Sequence, residues 1–288
     1  MEIKNIFTLL RIHQYLKNVF VFAPLLFSLH YTTEAILSSV IAFILFSLIA
    51  SSIYIFNDLM DIEEDKKHPT KRFRPLAAGT VTKKNAIIMM FILAISSLIT
   101  ALFVDIWFAG ILTFYFLLNL LYSLKLKHIT IVDIFIVATG FVLRLFAGAF
   151  VTDIHISIWL IIMTFLLALF LALGKRRDDV LLASNGKATR KNIDGYNLEF
   201  VNAAMVLMSA VIIVSYILYS ISEEVVNRLG TPYLYLTTFF VILGIMRYMQ
   251  ITFVESASGS PTRILLKDSF LQITIILWLA SFFGIALI

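Results

Sequence analysis

Residues 35–56 read AILSSVIAFILFSLIASSIYIF and run straight into Asn57-Asp58-Leu59-Met60-Asp61. The first part carries no charged residue over a length that crosses a bilayer core, which takes about 20 mostly apolar residues in a helix. The second part sets carboxylates where such a helix would leave the lipid. On either side, apolar runs recur at about 18–30, 85–104, 106–124, 129–151, 156–174, 200–221, 231–250 and 268–287. The run at 18–30 is short and holds Pro24, so it is expected to be tilted or to begin as an interfacial helix near Ile6. The fold expected is all-α: a polytopic bundle of about nine transmembrane helices, forming one integral membrane domain over 1–288.

Composition points the same way. Sixty per cent of the residues are hydrophobic and 14% are charged, whereas soluble chains average about 45–50% and about 25%. In water such a chain would expose apolar surface it has no means of burying. The absence of cysteine excludes a disulfide framework, a thiolate zinc site and a cysteine nucleophile. Arg11, His13 and Lys17 stand near the first apolar run and no small-residue cleavage site follows it, so no cleavable leader is expected.

The net charge of +5 lies in short connections between apolar runs rather than on a solvated face. It therefore argues for membrane orientation and phosphate ligands, and against nucleic acid. Lys66, Lys67, Lys71, Arg72, Arg74, Lys83 and Lys84 fall in one connection. Lys125 and Lys127 fall in a second, and Lys175, Arg176, Arg177, Lys187, Arg190 and Lys191 in a third. The alternate connections are nearly free of Lys and Arg, so the positive-inside rule puts the N-terminus and the basic connections in the cytoplasm. A multi-pass protein of the cell membrane follows, with its active site facing the cytoplasm. Three connections, at about 57–84, 175–199 and 252–267, are longer than joining two helices requires, and they form the expected polar cap.

The stretch Asn57 to Pro75 carries the most chemistry. If the second span continues as helix, Asn57, Asp61 and Asp65 fall at i, i+4 and i+8 on one face, with Asp58 beside them. Like charges at that spacing repel, and a divalent cation would remove the repulsion. Magnesium prefers one or two carboxylates, its own waters and phosphate oxygens, which suits a Mg²⁺–pyrophosphate site. His68, Lys71, Arg72 and Arg74 follow directly, and Arg and Lys are the residues that take phosphate. The basic residues alone would also serve as topology signals. Acids spaced for metal beside bases suited to phosphate are the two halves of a diphosphate site.

Asp133 and Arg144 sit inside an apolar run, where ionisable groups are costly and face a polar cavity or each other. Eleven residues apart, they lie about three turns from one another on roughly one face, so both can line one cavity without touching. Arg144 would equally suit a buried partner of another helix's polar group. Lys175, Arg176 and Arg177 end the sixth run, followed by Asp178 and Asp179. These two acids cannot share one site from a regular helix, since neighbours point about 100° apart.

Asn57-Asp58-x-x-Asp61-x-x-x-Asp65 at the end of span two resembles the first aspartate motif of the UbiA superfamily of intramembrane prenyltransferases. Tyr122-Ser123, with Lys125 and Lys127, resembles that superfamily's connection between helices four and five, and the resemblance covers essentially the whole chain. Within it, Gln14-Tyr15-Leu16-Lys17-Asn18, His68 to Gly79, Asp133 to Gly148 and Gly174-Lys175-Arg176 are most similar to the decaprenyl-phosphate phosphoribosyltransferase branch. That resemblance implies a Mg²⁺-dependent transfer of phosphoribosyl from 5-phosphoribosyl-1-pyrophosphate (PRPP) to a polyprenyl phosphate. It implies Asn57, Asp58, Asp61 and Asp65 as metal ligands, with Asp58 or Asp61 assisting catalysis. Substrate contacts would come from Lys17, Asn18, His68, Lys71, Arg72, Arg74, Tyr122, Lys125, Lys127, Asp133, Arg144, Lys175 and Arg176.

Ordinary members carry a second Asp-x-x-x-Asp after helix six, where this chain has Lys175-Arg176-Arg177-Asp178-Asp179. The departure counts against a prenyl diphosphate donor with an aromatic or small acceptor, the first rival. A secondary transporter using Asp133 and Arg144 is the second rival. It would show paired repeats with broken helices, and none is evident. The partners expected are the membrane, PRPP and the lipid phosphate, with self-association left open.

Overall fold

The computed structural model describes residues 3–29, 31–67, 71–184 and 195–287. These fall into two compact units, residues 1–157 and 158–288.

The first unit begins with α1 (Ile3–Leu10), a 3-10 stretch over Ile12–Phe22 and the short α2 (Ala23–Ser28), whose Pro24 stands in its first turn. Next come α3 (Thr33–Met60), α4 (Ile62–Lys67), a 3-10 turn at Lys71–Phe73, α5 (Lys83–Val104), α6 (Ile106–Leu124) and α7 (Val132–Thr152). The second unit holds α8 (Ile158–Ser184), α9 (Leu198–Ile221), α10 (Glu223–Leu229), a 3-10 turn at Tyr233–Thr237, α11 (Thr238–Phe253), α12 (Pro261–Lys267) and α13 (Ser269–Ala286). Among the described residues, eight helices are long and apolar enough to cross a membrane. The expected span at 18–30 is instead divided between the 3-10 stretch and α2.

Helix starts are fixed locally. Thr32, Thr82, Asp105, Asn197 and Asp268 each accept the amide of the residue three positions on, at 3.1, 3.3, 2.6, 2.7 and 2.8 Å. Such caps satisfy backbone donors that no helical carbonyl reaches.

In the first unit α3 is central, packed against α5, α6, α7 and the 12–22 stretch. Its inward side carries small polar residues as well as apolar ones. The Ser97 hydroxyl on α5 donates to the Leu45 carbonyl at 2.8 Å. Ser51 donates to the Leu10 carbonyl at 2.8 Å and meets the Tyr15 hydroxyl at 2.9 Å. Lipid tails supply little drive for apolar helices to associate, so small residues and cross-helix hydrogen bonds take over that role. Gly148 is the tightest case: a β-carbon there would sit 1.9 Å from the Val21 carbonyl oxygen, so only glycine lets α7 meet the 12–22 stretch.

One apolar cluster places the site. Leu9 of α1, Ile55 of α3, Ile62 of α4, Leu76 and Val81 of the following turn, and Ala86 of α5 pack together, all buried. This sets α1 and the 71–81 turn beside the end of α3. The turn closes through the Ala78 amide on the Arg74 carbonyl (2.8 Å) and the Val81 amide on the Pro75 carbonyl (3.2 Å). Gly79 adopts φ +73°, a conformation that glycine reaches without steric cost.

In the second unit α8 pairs with α9, α11 with α13, and α9 with α11. Helix α8 continues ten residues beyond the expected end of its apolar run at 174, so Lys175 to Asp179 are helical.

Candidate active site

The acid row keeps its helical register across the junction of α3 and α4. The Asp61 amide donates to the Asn57 carbonyl at 3.0 Å and the Asp65 amide to the Asp61 carbonyl at 2.8 Å. The side chains nonetheless divide differently from the expected i, i+4, i+8 face. Asp58 and Asp65, two turns apart, are both buried and share one cation. Arg74 Nη1 lies 3.1 Å from Asp58 Oδ1 and 2.7 Å from Asp65 Oδ2. The same Asp58 Oδ1 also accepts from Arg11 Nη2. Asp61 keeps 30% side-chain exposure and pairs with Lys127 Nζ at 3.0 Å. Asn57 is half-buried next to Asp58.

Each carboxylate thus meets a cation brought by another element: Arg11 after α1, Arg74 from the turn after α4, and Lys127 from the connection between α6 and α7. Arg11 was absent from the residues expected from sequence. It stands 47 positions from Asp58 and, like any basic residue near a first span, reads as a topology signal. What marks it in the structure is a left-handed backbone, φ 53° and ψ 47°, uncommon outside glycine, Asn and Asp. That bend ends α1 and turns the guanidinium toward Asp58 and over the Tyr54 ring, 5.2 Å from its centroid.

A second polar group lies between the 12–22 stretch and α7. Asn18 Nδ2 donates to Ser47 Oγ at 2.9 Å and its Oδ1 accepts from Arg144 Nε at 2.8 Å. Arg144 is 4% exposed. It also donates to the Gly140 carbonyl (2.5 Å) and the Tyr115 hydroxyl (3.1 Å), and packs over the rings of Phe46, Tyr115 and Phe141. Lys17 precedes the apolar run. Burial, and then the guanidiniums of Arg144 and Arg11, lower its pKa from 10.5 to about 8. An ammonium held under that strain is stabilised by an arriving anion.

The remaining expected residues are distributed as follows. Lys71 is half-buried at the start of the 71–73 turn, and Arg72 is exposed over its neighbour Phe73. Tyr122 is half-buried and Lys125 exposed at the end of α6, while Asp133 is fully buried in the first turn of α7. His68 lies outside the described residues. Lys175 and Arg176 belong to the second unit, where Arg176 Nη1 holds Asp179 Oδ2 at 2.5 Å on its own helix. Arg177 is buried there, donating to Asn202 Oδ1 (2.9 Å) and the Thr252 carbonyl (2.6 Å), which ties α8 to α9 and α11.

The donor set suits magnesium rather than a closed protein cage. Among the described residues, no three His, Asp, Glu or Cys side chains converge into a ready-made metal site. Mg²⁺ instead takes one or two carboxylates and completes its shell with waters and phosphate oxygens. A single guanidinium nitrogen touching both Asp58 and Asp65 shows that one cation can reach both carboxylates.

A membrane protein helical throughout its described elements, with carboxylates paired to cations at the end of its first long helix, has an architecture suited to an intramembrane transferase, and the comparisons with known proteins agree. Residues 19–257 match the UbiA prenyltransferase family. The chain belongs to that family and is a transferase of the UbiA superfamily. It is 33% identical to the decaprenyl-phosphate phosphoribosyltransferase of Mycolicibacterium smegmatis, over 94% of this chain and 89% of the relative. To the protein of that name from Corynebacterium glutamicum it is 32% identical, over 93% and 82%. Among solved structures, a UbiA homolog from Archaeoglobus fulgidus bound to GPP and Mg²⁺ superimposes with a TM-score of 0.70 at 18% identity, covering 99% of this chain and all of the other.

Proposed function

We propose that this protein transfers the 5-phosphoribosyl group of PRPP to the phosphate of a long polyprenyl phosphate, releasing pyrophosphate, on the cytoplasmic side of the membrane. The observation that carries this reading is the interleaving of Asp58, Asp61 and Asp65 with Arg11, Arg74 and Lys127 at one helix end. Such a set binds a metal and phosphates together. Relatives named for this transfer, alike over nearly the full chain, support the choice of substrates.

Asp58, Asp61 and Asp65, with Asn57, would hold Mg²⁺ against the pyrophosphate of PRPP. Bound there, the metal supplies neutralisation of charge on the leaving group. The ribose C1–O bond breaks with its electron pair leaving on pyrophosphate, and an oxygen of the lipid phosphate forms the new bond to C1. Positive character at C1 in the transition state favours a nearby carboxylate, and Asp61 is the more accessible of the two candidates. Lys17, Lys71, Arg72, Arg74 and Lys127 would bind phosphate oxygens. Arg144 would hold Asn18 and the 12–22 stretch in place, since its donors already meet Asn18, Gly140 and Tyr115.

The test uses purified protein in detergent with Mg²⁺, polyprenyl phosphate and PRPP labelled in the ribose. Label entering the organic phase only when Mg²⁺ is present is the expected result. No transfer from PRPP, with activity on a prenyl diphosphate and an aromatic acceptor, would move the protein to the ordinary prenyltransferase reaction.

A further inference from the structure

The cations at the acid row do more than offer phosphate contacts. Asp58, Asp61 and Asp65 carry three negative charges, and Arg11, Arg74 and Lys127 answer them with three positive ones. Without ligands this group of side chains is balanced. A divalent cation arriving alone leaves an excess of two positive charges, and pyrophosphate arriving alone leaves an excess of negative charge. Both excesses are costly where water is scarce. Arriving together, they largely cancel.

Geometry adds an exclusion to this balance. Asp58 Oδ1 accepts from both Arg11 Nη2 and Arg74 Nη1, and Arg74 Nη1 reaches on to Asp65 Oδ2. A metal that takes Asp58 Oδ1 needs the place where these guanidinium groups now sit. Both belong to segments held by the apolar cluster of Leu9, Ile62, Leu76 and Val81. When they let go of the acids they remain at the site with their donors available, and phosphate oxygens are the acceptors that fit a guanidinium fork.

We propose, resting on the metal and pyrophosphate reading above, that Arg11 and Arg74 are exchange counter-ions: they hold Asp58 and Asp65 in the ligand-free protein and pass to the pyrophosphate of the donor as the carboxylates turn to the metal. Metal and pyrophosphate then bind as a pair, each raising the affinity for the other by the same factor, as linkage requires. Arg11 acquires a positioning role that its place in the sequence does not suggest. Its left-handed backbone keeps the guanidinium at the acid row rather than along α1.

The exchange makes two predictions of opposite sign from ordinary ligand loss. Removing a competing cation should strengthen binding of metal alone. In the full-length protein in detergent, Arg74→Gln and, separately, Arg11→Gln should bind Mn²⁺, followed by electron paramagnetic resonance, about fivefold to tenfold more tightly than the parent. Removing Asp58 should free Arg11 for phosphate and leave Arg74 held by Asp65 alone. Asp58→Asn should therefore bind inorganic pyrophosphate, titrated calorimetrically in the presence of a chelator, more tightly by a similar factor. If Arg11 and Arg74 merely brace the fold, their loss leaves Mn²⁺ affinity unchanged or lower, and that result overturns the exchange. The two arginine variants approach Asp58 from different elements, so misfolding of one, seen by size exclusion, leaves the other to decide. Unchanged affinities together with intact label transfer from PRPP would sink the exchange alone. Failure of the transfer itself would sink the reading beneath it.

Discussion

At the end of α3 the first unit fastens acids with cations brought from elsewhere in the chain, while at the end of α8 the second fastens one arginine to an acid a turn away and the next to uncharged oxygens of neighbouring helices. At the end of α3, Asp58, Asp61 and Asp65 are met by Arg11, Arg74 and Lys127 from three other segments. At the end of α8, Arg176 turns to Asp179 one turn on, and Arg177 to the Thr252 carbonyl and Asn202. A carboxylate is a metal ligand that a guanidinium can give up. A main-chain carbonyl tying two helices together is not. What an arginine already holds thus separates those available to a substrate from those that keep the bundle assembled. By that measure Arg144 of the first unit belongs with Arg177, since both are buried against carbonyl or amide oxygens and aromatic rings.

The sharpest way to break this contrast is to neutralise one acid in each unit. Asp61→Asn should lower phosphoribosyl transfer by about 10²–10³-fold or more, the usual cost of losing a preorganised electrostatic contact at the reacting centre. Its yield and melting temperature should stay near those of the parent, because Asp61 is partly exposed. Asp179→Asn should leave transfer within about threefold, since its ion pair with Arg176 is local to one helix and Asp179 itself is partly exposed. Equal losses in the label-transfer assay would mean that the contrast is false.

Stability should show the reverse order. Arg177→Met leaves the Thr252 carbonyl and Asn202 without their charged donor, and hydrogen bonds to charged groups are worth about 1.5–3 kcal/mol each. A fall of several degrees in melting temperature in detergent is expected, clearly larger than for Asp61→Asn. Chelating the metal belongs with the small effects. It should abolish transfer yet shift melting by less than about 2 °C if each carboxylate keeps a cation in the metal-free protein, since no buried charge is left unpaired. A large fall in melting temperature on chelation would show that Arg11 and Arg74 do not serve as counter-ions.

How much of this was legible beforehand depended on the range of the interaction. Span positions follow from hydropathy summed over about 20 residues, and the observed helices Lys83–Val104 and Ile106–Leu124 fall within two residues of the runs that predict them. The acid row was readable because helical rise fixes its register, which the hydrogen bonds at Asp61 and Asp65 preserve. The choice of face was not. Asp58 rather than Asn57 shares a cation with Asp65, because the 71–81 turn delivers Arg74 to that side. Charge density misled at α8, where Lys175-Arg176-Arg177-Asp178-Asp179 has the composition of a loop. Arg177, anchored to Thr252 and Asn202, and the Arg176–Asp179 pair instead extend the helix to Ser184. Arg11 was invisible for the plainest reason: no local pattern relates a residue to a partner 47 positions away.

The finest division within the first unit concerns Lys17, which stands near both Arg11 and Arg144. Its folded pKa, about 8, lies below the ordinary 10.5 because burial and the two guanidiniums disfavour its charge. Between those values the unfolded chain holds a proton that the folded chain has lost, so stability of the ligand-free protein should rise as pH passes through 8 toward 10.5. Phosphate binding should move the other way, since only the ammonium attracts the substrate. For the free enzyme, kcat/KM should fall above pH 8 by at most about tenfold per pH unit. Bound phosphate restores the charge on Lys17 and carries the corresponding fall in kcat to higher pH. Lys17→Arg, charged throughout this range, should flatten the alkaline limb of kcat/KM and remove the later fall in kcat as well. An alkaline limb identical in parent and Lys17→Arg would remove Lys17 from the phosphate site and leave anion capture to Arg74, Lys127 and Arg11.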